Sequence, residues 1–368
     1  MTEFYVTAAP GTEEALRDEL CECRFRSVRL NHGGIPFQGE WEDGWRACLQ
    51  TRIGQRVMAV LARTRATSLT DIYYAAKEID WTEFLTPRLT FAVAAYSHPS
   101  TGVSPNQVAL KTKDAIADYF REGFGSRPNV DKENPDLRVF VYYAREKVTF
   151  YVDLSGEPLF KRGYRIHGGE APLKETLASA IIRLSGWDGS TPLVDPMCGS
   201  GTIVIEAALR ATKTAPGIRR SFGFQRWANY TEESQERFRA LTGELRREAT
   251  GQPPRITGFD ISEEALEAAR QNAQSAGLRL SFRRMAIREL QADGTRRFLI
   301  TNPPYGVRLD ADNQIYQELR AAVLRLKGWR VCFLTGNPKL VRSIPVRPAA
   351  EYPLKNGDID CHFVCYEC

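Results

Sequence analysis

From residue 173 onward, short β-forming runs alternate with amphipathic helical stretches, and a glycine-bearing turn sits between the first strand and the helix that follows it. No other feature constrains the fold as much. A strand, a crossover helix and a parallel strand pack back on one another with a single hand, so a series of such units predicts a mostly parallel, doubly wound sheet. Helices are expected over 173–184, 202–210, 263–276 and 313–326. Strands are expected over 192–194, 255–259, 280–282, 298–301 and 330–334. The segment between 211 and 254 interrupts the alternation and reads as an insertion.

The first half has a different texture. A strand over 4–8 leads to a helix opened by Thr12 as N-cap, with Glu13 and Glu14 in its first turn. Short strands around Val28 and Phe37 and a helix over 42–50 complete a small α+β unit. A second unit follows: strand 56–63, helix 71–76, strand 89–95, helix 106–120, and strands 138–144 and 147–153 meeting at a tight turn, Arg145-Glu146. The expected division is 1–50, 51–155, a glycine-rich and basic linker over 156–171, and the doubly wound part over 172–368. The fold class is α/β, preceded by two α+β units.

Composition narrows the partners. No stretch approaches the roughly 18 apolar residues of a membrane span, and Met1 to Pro10 lacks a signal-peptide pattern, so a cytoplasmic, membrane-free protein is expected. The eight cysteines are too sparse for a disulfide scaffold. Cys361 to Cys368 contains a C-x-x-C, but the segment alternates like a final β-strand and no second C-x-x-C completes a ligand set, so no metal is expected. The net charge of +5 suits a polyanion. Residues 1–170 hold 22 Lys and Arg against 23 Asp and Glu, and residues 171–368 hold 28 against 22. Nucleic-acid binding by the first half must therefore use local patches. The candidates are Arg24, Arg26 and Arg29, and the cluster Lys161, Arg162 and Arg165, although each alone reads more readily as solvated surface.

Three segments carry chemistry. Asp195-Pro196-Met197-Cys198-Gly199-Ser200-Gly201-Thr202 joins strand to helix, and its glycines let a ligand approach the backbone closely. It is neither G-x-G-x-x-G nor a P-loop, and a plain tight loop would read the same way. Asp260 ends the next strand, where a carboxylate can bind the ribose hydroxyls of a nucleoside. Asp260-Ile261-Ser262-Glu263 also reads as a helix cap. In Ile300-Thr301-Asn302-Pro303-Pro304-Tyr305-Gly306, two prolines stiffen the backbone at a strand's end. The Asn302 side-chain oxygen and the Pro303 carbonyl can accept from an exocyclic amino group, and Tyr305 offers a stacking face. The bland alternative is a rigid Pro-Pro loop.

Together these segments resemble class I S-adenosylmethionine-dependent methyltransferases that act on amino groups of nucleic-acid bases. Lys161 to Arg165, Ala171 to Glu175, Ala215-Pro216-Gly217, Phe222-Gly223-Phe224 with Trp227, and Lys355 to Cys361 are similar to the THUMP-containing RNA guanine-N2 methyltransferases. The best match is the bacterial 23S rRNA branch, with a tRNA branch next, and the resemblance covers essentially the whole chain. It implies a ferredoxin-like unit over 1–50, an RNA-binding THUMP domain over 51–155 and a Rossmann-like catalytic domain. It implies S-adenosylmethionine as cofactor, held by Asp195, Pro196, Cys198, Gly199, Ser200, Gly201 and Thr202, by Asp260 and Ile261 at the ribose, and by Ala286 and Asn302. Asn302, Pro303, Pro304 and Tyr305 would form the catalytic set, with RNA as partner and a monomer as the acting species. The family usually has an acid after the third strand; here Arg283 to Arg288 has none, which leaves the adenine to backbone and apolar contacts. The alternatives are a tRNA guanine-N2 enzyme, an N6-adenine methyltransferase and a non-catalytic RNA-binding assembly factor.

Overall fold

The computed structural model describes residues 1–167, 173–304 and 309–368. The first half contributes β1 (Thr2–Thr7), α1 (Glu13–Glu22), β2 (Gly34–Gly39), α2 (Trp41–Gln50), β3 (Arg56–Arg65), α3 (Leu69–Lys77), β4 (Thr90–Ser97), α4 (Pro105–Phe124), β5 (Asn129–Val130), β6 (Leu137–Ala144) and β7 (Lys147–Asp153). Local chemistry starts and stops these elements. Ser68 and Ser104 close capping boxes with Asp71 and Gln107 at the heads of α3 and α4. Gly125 ends α4 in the left-handed region. Arg145 and Glu146 both have positive φ, the geometry that suits a two-residue hairpin between β6 and β7. Thr12 is the N-cap of α1, as expected, but its hydroxyl donates to the Ala9 carbonyl at 2.8 Å and accepts no capping hydrogen bond. The strand expected around Val28 does not form: Val28 lies in no strand, because only Arg26 bridges to Gln38 and the chain then leaves the sheet edge.

The two α+β units are joined in one seven-stranded sheet, ordered β2-β1-β3-β7-β6-β4-β5. β3 makes the join by pairing antiparallel with both β1 and β7. One face of this sheet carries Phe4, Val57, Val141 and Phe150, all buried in a core completed by residues of α1 to α4.

The second half contributes α5 (Glu175–Leu184), β8 (Leu193–Asp195), α6 (Thr202–Ala211), α7 (Glu232–Glu248), β9 (Ile256–Asp260), α8 (Glu263–Ser275), β10 (Ser281–Arg284), β11 (Phe298–Thr301), α9 (Leu309–Arg325), β12 (Arg330–Thr335), α10 (Pro338–Ser343), β13 (Ala350–Asn356) and β14 (Ile359–Glu367). Its sheet order is β10-β9-β8-β11-β12-β14-β13. The first five of these strands run parallel; β14 is antiparallel to β12, and β13 to β14. The strand order reverses at β8, so a crevice opens between the carboxyl ends of β8 and β11. Cys361 to Glu367 is strand, and within it buried Cys365 lies opposite Cys332 of β12.

The segment between α6 and β9 binds the halves together. Phe222, Phe224, Trp227 and Phe238, with Leu241 and Leu245 of α7, belong to the core of the first sheet rather than the second. Trp45 of α2 stacks on Phe224 with ring centroids 5.4 Å apart. Gly217 N–H donates to the Leu49 carbonyl at 2.9 Å, and Arg46 pairs with Glu244 at 3.3 Å. Among the described residues, no helix is long and apolar enough to cross a membrane.

Candidate active site

The reversal point brings all three chemistry-bearing segments to one edge of the second sheet. Asp195 ends β8, Asp260 ends β9, and Asn302 follows β11 directly. Asp195 is wholly buried. Its Oδ1 accepts from the Thr301 hydroxyl at 2.7 Å and from Met197 N–H at 3.2 Å. Burial pushes its carboxyl up to about 7, the two hydrogen bonds oppose that rise, and nearby Asp260 adds to it. In the sequence nothing but its place beside Asn302 marks Thr301. In the fold it ties the strand that carries the turn to the strand that carries the Pro-Pro segment.

The turn is pinned from both sides. Cys198 N–H donates to the Phe259 carbonyl at 2.9 Å, and Gly199 N–H donates to Asp260 Oδ2 at 2.9 Å. The other oxygen of Asp260 accepts from Ser262 N–H at 3.0 Å. Ser262, not Asp260, caps α8, accepting from Ala265 N–H. Asp260 is thus held by two backbone donors while its side chain remains partly exposed at the crevice. The two glycines differ in role. A Cβ on Gly199 would meet nothing within 4 Å, so its φ of +52° faces open space. A Cβ on Gly201, at φ +85°, would come 3.0 Å from the Ala269 Cβ, so this glycine admits α8 against the turn. Cys198 is packed into the same contact, its Sγ close to Gly258, and burial raises its thiol well above the ordinary value.

Arg165 corrects the reading of the Lys161–Arg162–Arg165 cluster as a surface patch. Its guanidinium donates to Glu175 at 2.8 Å, to Thr202 Oγ1 at 3.0 Å, to Ser200 Oγ at 3.2 Å and to the Leu173 carbonyl at 3.1 Å. The hydroxyls of Ser200 and Thr202 are therefore engaged from behind the turn. Arg162 is 2 % exposed; it pairs with buried Glu206 and donates to the carbonyls of Arg52 and Leu159. Tyr164 and Ser179 hydroxyls satisfy the same Glu206 at 3.1 and 2.7 Å. Of the three, only Lys161 remains at the surface, paired with Glu157. Arg24, Arg26 and Arg29 are exposed, as expected. Asn272 of α8 also escaped the sequence reading. Its amide donates to the Ser200 and His167 carbonyls at 3.0 and 2.9 Å and accepts from Ile166 N–H at 2.8 Å.

Asn302 is partly buried, and its Oδ1 is shielded from solvent with no donor in reach among the described residues. Pro303 is buried and Pro304 exposed; Tyr305 lies outside the described residues. Beside Asp260, Ile261 is 68 % exposed. Ala286 is buried after β10, and its N–H donates to Glu289 Oε1 at 3.4 Å. An acid, Glu289, does therefore stand at this loop, one residue beyond the acid-free stretch Arg283 to Arg288. Pro196 is buried at the foot of the turn. Among the described residues, no group of three metal-ligating side chains forms.

The model of the RMKL-like methyltransferase domain matches residues 162–364, that of the THUMP domain residues 66–153, and that of the RlmL ferredoxin-like domain residues 3–58. Two curated relatives, both named ribosomal RNA large subunit methyltransferase K/L, align over 99% of the chain. The protein of Syntrophotalea carbinolica is 38% identical with 53% of its length covered, and that of Allochromatium vinosum 36% with 51% covered. The chain thus spans about half the length of the curated relatives it matches. The crystal structure of SMU.472 complexed with SAH superposes with a TM-score of 0.88 at 29% identity, covering 100% of this chain and 98% of that one.

Proposed function

The chain belongs to the RMKL-like methyltransferase family, and on that premise we propose that it transfers a methyl group from S-adenosylmethionine to the exocyclic N2 amino group of a guanine in structured RNA, 23S rRNA before tRNA. The observation that carries this reading is the Asn302 Oδ1: a shielded acceptor with no donor among the described residues, at the carboxyl end of β11, on a backbone stiffened by two prolines.

The residues at the crevice fit the cofactor. Open space over Gly199 leaves room for it, and Asp260, already fixed by two backbone donors, retains acceptor capacity for ribose hydroxyls. Ile261 offers an exposed apolar face, and Glu289, an exposed carboxylate that accepts from the Ala286 N–H, offers a polar contact for the adenine. When bound, the sulfonium supplies an electrophilic methyl group. The work left to the protein is alignment, because a guanine amino group is a weak nucleophile whose lone pair is delocalised into the ring. Asn302 Oδ1 and the Pro303 carbonyl accept the two amino hydrogens, orient the lone pair and stabilise the positive charge that develops on nitrogen. The base must leave its stack to enter, and Tyr305 is assigned its stacking face. Proton loss follows transfer and needs no dedicated base. The enzyme is taken to act as a cytoplasmic monomer, with the first seven-stranded sheet and its helices as the RNA-binding half.

Purified protein, labelled S-adenosylmethionine and rRNA from cells lacking the protein, with nucleoside mass spectrometry of the product, form the test. N2-methylguanine in 23S rRNA is the expected product. The same nucleoside in tRNA would move the substrate, N6-methyladenine would move the target base, and no transfer would leave a non-catalytic RNA-binding factor.

A further inference from the structure

The seven-stranded sheet packs its helices on one face only. The opposite face holds a groove of about 830 Å³ that crosses β1, β3, β7, β6 and β4. At ~4.8 Å per strand, its floor spans about 19 Å. Five aromatic rings form it: Tyr5, Tyr96, Phe140, Tyr142 and Tyr151. Register places them on one side of the sheet, since Tyr96 pairs with Tyr142 and Phe140 with Tyr151. The rings of Tyr96 and Tyr142 are parallel, 5.2 Å apart with 10° between planes, and each residue is 42% exposed. Exposed rings in register suit partners that are themselves flat.

Charge selects the partner further. Arg63, Arg145 and Lys147 line the groove with His32 and His98, and no aspartate or glutamate does so among the described residues. Arg63 pairs with Glu3 at 2.9 Å, outside the groove lining. The Tyr5 hydroxyl donates to the His32 carbonyl at 3.0 Å, which fixes its ring in the floor of the groove. In the first half, whose charges otherwise nearly balance, this is a local concentration of cations around aromatic faces.

We propose that this groove is a stacking platform for a short unpaired RNA segment, whose bases lie on the Tyr96, Tyr142 and neighbouring rings while Arg145 and Lys147 hold its phosphates. A sheet of similar width presents aromatics to two or three bases in other RNA-binding folds. Paired RNA is excluded, because a duplex shows no base faces to the rings. The platform engages RNA away from the Asn302 crevice, so a flanking single-stranded stretch would be gripped while the target base is methylated. This inference rests on the RNA reading of the protein, but the two can fail separately.

The test uses the full chain and a fluorescein-labelled oligouridine, with a duplex RNA of equal length as competitor, read by anisotropy. The oligouridine is expected to bind more tightly than the duplex. Y96A/Y142A is expected to weaken it at least about tenfold, as loss of one base stack does. K147E, at an exposed strand end, is expected to weaken it and to lower the salt slope by about one charge. Y96L/Y142L keeps apolar bulk on the sheet without aromatic faces and is expected to lose binding as the alanine pair does. Binding of oligouridine at wild-type strength by either tyrosine pair, or a preference for duplex, overturns the platform and leaves the face to a protein partner. If the tyrosine variants lose oligouridine while the wild type methylates no RNA, the platform stands and the methyltransferase reading falls.

Discussion

An amide oxygen shut away from water without a donor costs a folded protein about 1–3 kcal/mol, and among the described residues nothing donates to the shielded oxygen of Asn302 beside the crevice. A substrate amino group would recover that cost at the moment it is oriented. Asn302→Ala should leave cofactor affinity near normal and slow single-turnover methylation at least about 100-fold. Asn302→Asp should retain more activity, since an acceptor remains; wild-type turnover in the alanine variant would return the segment to a rigid Pro-Pro loop. Asp260→Ala removes an anchored carboxylate and is expected to weaken cofactor binding by on the order of 2–4 kcal/mol in calorimetry. Near-normal affinity would place the ribose elsewhere. Asp195 sets a pH dependence. Its carboxyl ionises near 4 in the unfolded chain and at about 7 in the fold, so the folded state carries the extra proton between those values. The stability linked to it is complete below about pH 4 and is lost as pH rises through about 7. Urea unfolding of Asp195→Asn should show a shallower decline over that window, and an unchanged decline would mean the carboxyl is ionised throughout.

At the scale of elements, the glycine turn owes its shape to groups outside it. Arg165 reaches it from the segment before α5, Asn272 from α8 and Thr301, through Asp195, from β11. A fork of donors engaging Glu175, Ser200, Thr202 and the Leu173 carbonyl cannot be replaced by a single ammonium. Arg165→Lys is therefore expected to raise KM for the cofactor several-fold with little change in kcat, and Arg165→Met to raise it further. A fall in kcat at unchanged KM would show that Arg165 acts on the RNA side instead.

Across the whole molecule, the two sheets are joined by a donated core. Phe222, Phe224, Trp227 and Phe238 come from the second half in sequence but pack against Trp41, Trp45 and Phe84 of the first. Cutting the chain near residue 155 would expose them, so the second half alone is expected to aggregate. Trp45→Ala, at a site 8 % exposed, should cost about 3–5 kcal/mol. The two halves should unfold in one calorimetric transition, lowered as a whole by that substitution. Two independent transitions in the wild-type protein would show that the shared core does not couple them.

What the sequence alone determined is what short-range physics writes into it. The period change from strand to helix announced the doubly wound sheet, two strand-forming runs parted only by Arg145-Glu146 announced the hairpin there, and two prolines after a strand announced the stiff segment at Asn302. Each depends on neighbours a few residues away. The fold alone decided what depends on distant partners. β3 merges two apparent units by pairing with β1 and β7, and α7, mostly polar in sequence, shows its purpose only when Phe238, Leu241 and Leu245 meet the other half's core. Arg162 looks like surface charge until Glu206, far along the chain, buries it, and Thr301 is unremarkable until it meets Asp195 across two parallel strands. A hydrogen bond between residues so far apart leaves no local periodicity, so no reading of neighbours could have found it.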